Sequence, residues 1–356
     1  MSQPRHTRAS VPTLLTESPP LAYTPEVAAA TRPAWDRLRR VMPEAEWITH
    51  APLVHAIQRL KRERRAVVLA HNYQPPEIFH GVADRVGDSL ALAQQARDTD
   101  AEVIVLAGVH FMAETAKLMN PDKVVLCPEP EAGCSLAASI TAADVRALRQ
   151  RHPGIPVIAY VNTSVAVKAE VDICCTSGNA VEVVESLGVP RVIFLPDRYL
   201  AAHVATQTAV EIIPWTGSCE VHVRFTGEEI EEYRSNYDDL LVVAHPECPP
   251  DVLAAADIVG STARMVELIE AKKPPRVLLI TECAMGDNVA AAVPEVEIVR
   301  PCNLCPHMRR ITLANILAAL ETLSPRVEID PAVAAPARRS VERMLAVRPG
   351  ARRAGP

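Results

Sequence analysis

Aromatic residues are scarce in this chain of 356 residues, at 4% of the total, whereas hydrophobic residues as a whole make up 49%. Buried cores are therefore available, but Val, Leu, Ile and Ala must fill them. The chain also has no excess of basic residues, as its formal net charge of −6 shows. This balance argues against a nucleic-acid partner, which normally needs a basic patch.

A long hydrophobic run is missing as well. No segment approaches the roughly 20 apolar residues that span a bilayer, and residues 1–22 lack the apolar stretch of a signal peptide. We therefore expect a cytoplasmic protein with no membrane association. We also expect residues 1 to about 30 and 348–356 to be loosely attached to the rest of the protein. Disulfides rarely persist in the cytoplasm, so the nine cysteines point to metal binding or catalysis.

The sequence does contain a series of short, continuous apolar runs, rich in β-branched residues and separated by helix-like segments. Such runs are typical of strands buried on both faces of a parallel sheet, and the alternation predicts an α/β fold. The runs come in pairs, and a third apolar stretch follows each pair. First runs lie at 66–70, 157–160 and 241–244, second runs at 103–106, 192–195 and 277–280, and third stretches at 124–126, 212–213 and 298–299.

The pairs recur about every 86 residues, which predicts a threefold internal repeat. We expect three similar α/β/α units with short parallel sheets, related by pseudo-threefold symmetry around a central site. Residues 1–65 are predicted to form an N-terminal tail and a helix from about Glu44 to Arg64. The three units are predicted at 66–152, 153–238 and 239–325. Residues 326–356 are predicted to form a C-terminal helix that returns to the core, followed by a frayed tail.

One cysteine follows the third stretch of each unit. Cys134 and Cys219 lie 85 residues apart, and Cys219 and Cys305 lie 86 apart, so the pseudo-threefold arrangement would bring them together. Structural zinc usually takes four protein ligands and a [4Fe–4S] cluster four cysteines. Three thiolates leave one iron open, where it could act as a Lewis acid on a departing hydroxyl. The spacing of the cysteines thus predicts a dehydration step. Cys302 remains an alternative to Cys305 as the third metal ligand.

Polar residues follow the first strand of each unit, at the sheet edge where ligands gather in parallel α/β proteins. A hydroxyl later precedes a helix in each unit, and it could serve either as a helix cap or as part of an anion cradle. His222, three residues after Cys219, is a candidate for lining the cluster or the substrate pocket. The strand-end segments are His71-Asn72-Tyr73-Gln74, Tyr160-Val161-Asn162-Thr163 and His245-Pro246-Glu247, and the hydroxyl segments are Gly87-Asp88-Ser89, Thr176-Ser177-Gly178 and Gly260-Ser261-Thr262.

These motifs, in this order, resemble those of the quinolinate synthase A-type family over roughly 66–344. The resemblance also rests on residues 108–117, on Val167-Lys168-Ala169, on Pro196-Asp197 and on Cys305-Pro306-His307-Met308. It implies three α/β domains around a central [4Fe–4S] cluster. It also implies the condensation of iminoaspartate with dihydroxyacetone phosphate to quinolinate, phosphate and water, for NAD synthesis. Gly178 departs from the family pattern, which often has a second serine there.

The resemblance further implies roles for individual residues. Cys134, Cys219 and Cys305 would ligate the cluster, and Tyr73, His245 and Glu247 would be candidates for moving protons. Residues expected to contact substrate or intermediates are His71, Ser89, Tyr160, Asn162, Ser177, His245, Glu247 and Thr262.

Two other classes remain open at this point. A diphthamide-type iron–sulfur enzyme, which cleaves S-adenosylmethionine, also has three units around one cluster, but the motifs at His71 and His245 count against it. An iron–sulfur sensor would need an effector element, and the sequence shows none. Because iminoaspartate is short-lived in water, a transient L-aspartate-oxidising partner enzyme is also expected.

Overall fold

The computed structural model describes residues 21–347, and within that range the chain forms three separate four-stranded parallel sheets. In each sheet the first strand lies between a short edge strand and the second strand, and the third strand forms the other edge. The sheets have the orders β2-β1-β3-β4, β6-β5-β7-β8 and β10-β9-β11-β12. The strands are β1 (Ala66–His71), β2 (Arg85–Gly87), β3 (Val103–Ala107), β4 (Val124–Leu126), β5 (Val157–Tyr160), β6 (Ile173–Cys175), β7 (Arg191–Leu195), β8 (Glu211–Pro214), β9 (Leu240–Ala244), β10 (Ile258–Val259), β11 (Arg276–Ile280) and β12 (Glu297–Val299).

Helices connect the strands and cover the sheets, as parallel pairing requires. Two short 3₁₀ turns, His222–Arg224 and Met308–Arg310, follow the second and third sheets. The helices are α1 (Pro25–Leu38), α2 (Glu44–Glu63), α3 (Pro76–Phe79), α4 (Ser89–Arg97), α5 (His110–Met119), α6 (Ser135–Ala138), α7 (Ala142–Arg151), α8 (Val165–Ala169), α9 (Ala180–Ser186), α10 (Arg198–Ala205), α11 (Gly227–Asn236), α12 (Pro250–Ala255), α13 (Thr262–Lys272), α14 (Cys283–Ala292), α15 (Leu313–Thr322) and α16 (Pro331–Ala346).

The α/β prediction is confirmed, because each of the nine apolar stretches lies on a strand and the three sheets share one topology. Ala159 pairs with Leu195, and Ala244 pairs with Ile280. In the first sheet Ala70 instead pairs with Ala107, one residue beyond the predicted strand end. The edge strands β2, β6 and β10, which are two or three residues long, were not predicted.

The predicted first helix is confirmed as α2, but the expectation of a loose segment up to about residue 30 is wrong. Thr24 caps α1, where its hydroxyl accepts a hydrogen bond from the N–H of Val27. Val27 and Leu38 of α1 are buried, and Trp35 stacks on Trp47 of α2 with ring centroids 5.9 Å apart. Residues 1–20 and the predicted frayed tail at 348–356 lie outside the described residues.

The last helix, α16, packs against α8 and β6 of the second sheet and against α5. Its buried face consists of Ala337, Ser340, Val341 and Met344. Among residues 21–347 no helix combines the length and the hydropathy that a bilayer crossing requires.

Candidate active site and metal centre

One cavity brings together residues from all three sheets. It lies where the carboxyl ends of β1, β5 and β9 and the cysteine loops after β4, β8 and β12 converge. Every site residue predicted from the sequence lines this cavity, namely His71, Tyr73, Ser89, Cys134, Tyr160, Asn162, Ser177, Cys219, His222, His245, Glu247, Thr262 and Cys305. Their individual roles stay predictions.

The three cysteines occupy turns of the same kind. The carbonyl of each accepts a hydrogen bond from the N–H four residues further on, with N···O distances of 2.9 Å for Cys134, 3.0 Å for Cys219 and 3.1 Å for Cys305. The backbone N–H groups two and three residues further on favour the thiolate form of each cysteine and so lower its pKa, against the larger opposite effect of burial. Backbone donors to sulfur are typical of the surroundings of iron–sulfur ligands, so the donor set fits a three-cysteine metal centre.

Burial affects the protonation of these thiols. It raises the pKa of Cys134 to about 12, that of Cys305 to about 11 and that of Cys219 well above its usual value. The free thiols are therefore protonated near neutral pH. Because a metal binds the thiolate, loading a metal here must release protons, and the affinity should rise with pH.

Glu247 is the acidic centre of the cavity, and it is 3% exposed. The Tyr160 hydroxyl donates to its Oε1 at 2.5 Å, and its Oε2 lies 3.0 Å from Nδ1 of His222. Burial opposes ionisation, but the His245 and His222 rings and the Tyr160 hydroxyl outweigh it and hold the pKa of Glu247 below its ordinary value. Glu247 is thus an ionised carboxylate.

His71 and His245 are held in one tautomer by the backbone. The N–H of Tyr73 donates to Nδ1 of His71 at 3.2 Å, and the N–H of Glu247 donates to Nδ1 of His245 at 3.4 Å. Burial lowers the pKa of His71 to about 4 and that of His245 to about 3. Both rings are therefore neutral with the proton on Nε2, and Nε2 of His245 lies 3.5 Å from the Ser177 hydroxyl.

The side chain of Tyr73, which follows β1 of the first sheet, contacts a residue that follows β11 of the third sheet. Its hydroxyl lies 2.6 Å from Oγ1 of Thr281, and Nε2 of His222 lies 3.0 Å from the same oxygen. Burial and the charge of Glu247 raise the pKa of Tyr73 well above its usual value. Tyr73 is therefore a neutral hydrogen-bond donor to whatever occupies the cavity.

The helix-capping explanation holds only in the third hydroxyl segment, where Ser261 accepts a hydrogen bond from the N–H of Arg264, because the N-cap residues of α4 and α9 are Asp88 and Asn179. Asp88 accepts from the N–H of Ala91. Ser89 and Thr262 are the first residues of these helices, and their side chains line the cavity. Thr262 also accepts a hydrogen bond from Nδ2 of Asn72 at 2.9 Å. These two hydroxyls are free to bind a ligand, as an anion cradle requires.

Sequence reasoning missed several residues of the site. Thr281 directly follows the second strand of the third sheet, so the strand-end rule could have found it if it had been applied to second strands as well. His307 lies in a motif that the resemblance rests on, and its Nε2 contacts Glu220 at 2.9 Å. Phe111 and Met308, which also line the cavity, lie in segments that the resemblance rests on, but neither residue was assigned a role.

The fold and the site together define a class of protein. Three parallel sheets place three equivalent cysteine turns, neutral histidines, tyrosines and the ionised carboxylate of Glu247 in a single composite cavity. A set of potential metal ligands beside acid–base groups is typical of an enzyme active site.

Comparison with known proteins identifies the family. Residues 55–346 match the model of the family described as "Quinolinate synthetase A protein". Quinolinate synthase 2 of Mesorhizobium japonicum is 65% identical over 313 residues, covering 88% of this chain and 97% of that protein. Quinolinate synthase of Agrobacterium fabrum is 61% identical over 322 residues, covering 90% of this chain and 93% of that protein. The chain belongs to the quinolinate synthetase A family, and it is an enzyme.

Proposed function

We propose that this enzyme condenses iminoaspartate with dihydroxyacetone phosphate to form quinolinate, phosphate and water, for NAD synthesis. The observation that carries this proposal is the convergence of three equivalent cysteine turns on the cavity that holds the acid–base groups. The names of the similar proteins support the proposal.

The neutral donors of the cavity suit an anionic substrate. His71 and His245 present Nε2–H groups, and Ser89, Ser177 and Thr262 present hydroxyls beside the amino-terminal ends of helices. Such donors bind carboxylate and phosphate oxygens and stabilise the phosphate that must leave. We assign substrate binding to these residues together with Asn162, whose buried Oδ1 has no hydrogen-bond partner.

Proton transfer falls to the residues around Glu247. Its ionised Oε2 can accept a proton, and the Tyr160 hydroxyl that donates to Oε1 keeps it oriented. Tyr73 and His245, both neutral hydrogen-bond donors, complete the set of acid–base candidates. His222 lies between Cys219 and Glu247 and thus joins the metal centre to this set.

We assign Cys134, Cys219 and Cys305 as the ligands of a [4Fe–4S] cluster. When bound, such a cluster supplies an open iron that acts as a Lewis acid on a departing hydroxyl. The thiols of the chain are free, which agrees with a reducing, cytoplasmic location. An enzyme with an exposed iron should lose activity in air.

The arrangement of the units is part of the same proposal. The shared topology of the three sheets supports pseudo-threefold symmetry and the boundaries at 66–152, 153–238 and 239–325. The instability of iminoaspartate supports transient association with an L-aspartate-oxidising enzyme. A pull-down without that enzyme, and a coupled assay no faster than one with free iminoaspartate, would refute the association.

The test is an anaerobic assay. The protein is reconstituted with iron and sulfide, and quinolinate is measured after iminoaspartate and dihydroxyacetone phosphate are added. We expect quinolinate from the reconstituted protein and none from the metal-free or air-exposed protein. A cluster of about four irons with S-adenosylmethionine cleavage and no quinolinate would instead favour the diphthamide-type reaction.

A further inference from the structure

A second set of metal-ligand atoms lies inside the cavity. Cys219, His222 and Glu247 each offer one ligand atom, and the three atoms lie within 4.8 Å of one another. Nδ1 of His222 is 3.2 Å from Sγ of Cys219 and 3.0 Å from Oε2 of Glu247. Thiolate, imidazole and carboxylate are the ligands that zinc and similar divalent ions take, and three protein ligands with one open position form a common zinc site.

The remaining polar atoms of two of these residues already have partners that suit metal binding. Nε2 of His222 lies 3.0 Å from Oγ1 of Thr281. If Nδ1 binds a metal, the ring proton sits on Nε2 and is donated to Thr281. Oε1 of Glu247 accepts from Tyr160, which leaves Oε2 for the metal. Metal-binding histidines and carboxylates usually have such supporting hydrogen bonds.

The charge of this group also calls for a cation. Glu247 is buried, and among residues 21–347 the basic side chains within 4 Å of its carboxylate are the rings of His222 and His245, with no lysine or arginine. A buried carboxylate without a cationic partner is costly. A divalent ion held by Cys219 and His222 would compensate it.

We propose that Cys219, His222 and Glu247 form a mononuclear site for a divalent transition ion such as Zn²⁺ or Co²⁺, distinct from the three-cysteine set. This inference goes beyond the proposed function, since the site needs neither Cys134 nor Cys305. The two sets share the sulfur of Cys219, so they cannot both be filled. An ion bound at the mononuclear site therefore blocks cluster assembly.

Cobalt is the probe for the first test. The full-length, metal-free protein is titrated anaerobically with Co²⁺, and the sulfur-to-cobalt charge-transfer band and the d–d bands are recorded. We expect one ion per chain in the wild type, in Cys134→Ser and in Cys305→Ser. The bands should disappear in Cys219→Ser and change or disappear in His222→Ala and Glu247→Gln. Thr281→Val should weaken binding about 10- to 100-fold while the charge-transfer band remains.

Circular dichroism and thermal melting identify any variant that fails to fold, and the remaining ligand variants then carry the test. Bands lost in Cys134→Ser or Cys305→Ser would place the ion on the three cysteines and overturn the proposal. Bands unchanged in both His222→Ala and Glu247→Gln would overturn it equally.

The second test is whether bound Zn²⁺ competes with assembly of the iron–sulfur cluster. Zn²⁺ added before iron and sulfide should prevent cluster formation in the wild type but not in His222→Ala, which retains all three cysteines. The readouts are iron and sulfide content and the absorbance of the cluster. Zinc that blocks both proteins equally would refute the mononuclear site. A protein that never assembles a cluster but binds Co²⁺ as described would refute the proposed function and leave this site intact.

Discussion

At the scale of single residues, backbone hydrogen bonds set the tautomers of two histidines in the cavity. His71 and His245 occupy corresponding strand ends in two sheets, and each accepts an N–H from the residue two positions further on. Both rings are thereby fixed as Nε2–H donors. The sequence could predict that these histidines line the site, but it could not predict the tautomer, which depends on the turn after each strand.

Tyr160→Phe tests the acid–base set. The change removes the donor to Oε1 of Glu247 and leaves a buried acceptor unpaired, which costs about 1–3 kcal/mol. We expect kcat for quinolinate formation to fall about 100-fold with the cluster content unchanged.

The matched control is Tyr199→Phe, whose hydroxyl contacts Arg198 outside the cavity, and it should retain normal kcat. An unaltered kcat in Tyr160→Phe would show that this hydroxyl does not support the carboxylate.

His80 predicts a pH dependence of stability. Burial lowers its pKa to about 4, against the partial support of the Asn288 carbonyl, and Arg37 lowers it further. Since the ring takes up a proton more readily in the unfolded chain, stability is retained above about pH 6.5 and lost as pH falls toward 4. Between pH 7 and pH 5 this group should remove about 2 kcal/mol from the free energy of unfolding.

The measurement is urea unfolding of the wild type and His80→Gln at both pH values. The variant should lose less stability on acidification, because His71 and His245 contribute equally to both proteins. Equal losses in the two proteins would exclude His80 as the source.

At the scale of elements, continuous apolar runs were sufficient to place nine of the twelve strands. The six central ones are buried along almost their whole length, so no polar side interrupts their runs. The edge strands β6 and β10 contain short apolar stretches that were not assigned as strands, whereas β2 contains none. Arg85 of β2 is exposed, and only pairing with β1 makes its segment a strand. The helix α1 was missed for a related reason, since its residues are mainly polar or small and its stability comes from packing on α2.

The last helix should be essential to stability. Met344 of α16 is fully buried, and Met344→Ala should destabilise the protein by about 2–5 kcal/mol because it leaves a cavity. Arg339→Ala, on the exposed side of the same helix, should change stability by less than about 0.5 kcal/mol. Thermal and urea unfolding check both variants, and equal stabilities would show that α16 is only loosely docked.

At the scale of the whole molecule, the repeat brings distant segments into one cavity. The cysteine spacing predicted this convergence, because equal positions in three similar units face the same centre. The contacts between the units could not be predicted. The hydrogen bond from Tyr160 to Glu247 joins residues 87 positions apart, and that between Tyr73 and Thr281 joins residues 208 apart. Such pairs depend on how the sheets are placed, which no local pattern encodes.

The central claim is that one cysteine from each sheet ligates a single cluster. The most direct measurement is anaerobic reconstitution of Cys134→Ser, Cys219→Ser and Cys305→Ser, followed by iron and sulfide analysis and electron paramagnetic resonance after reduction. Cys302→Ser and Cys127→Ser are the controls, because Cys302 is exposed and Cys127 is buried outside the cavity lining. We predict loss of the cluster in each of the three variants and about four irons per chain in both controls. A full cluster in any of the three variants, or its loss in Cys302→Ser with retention in Cys305→Ser, would contradict the account.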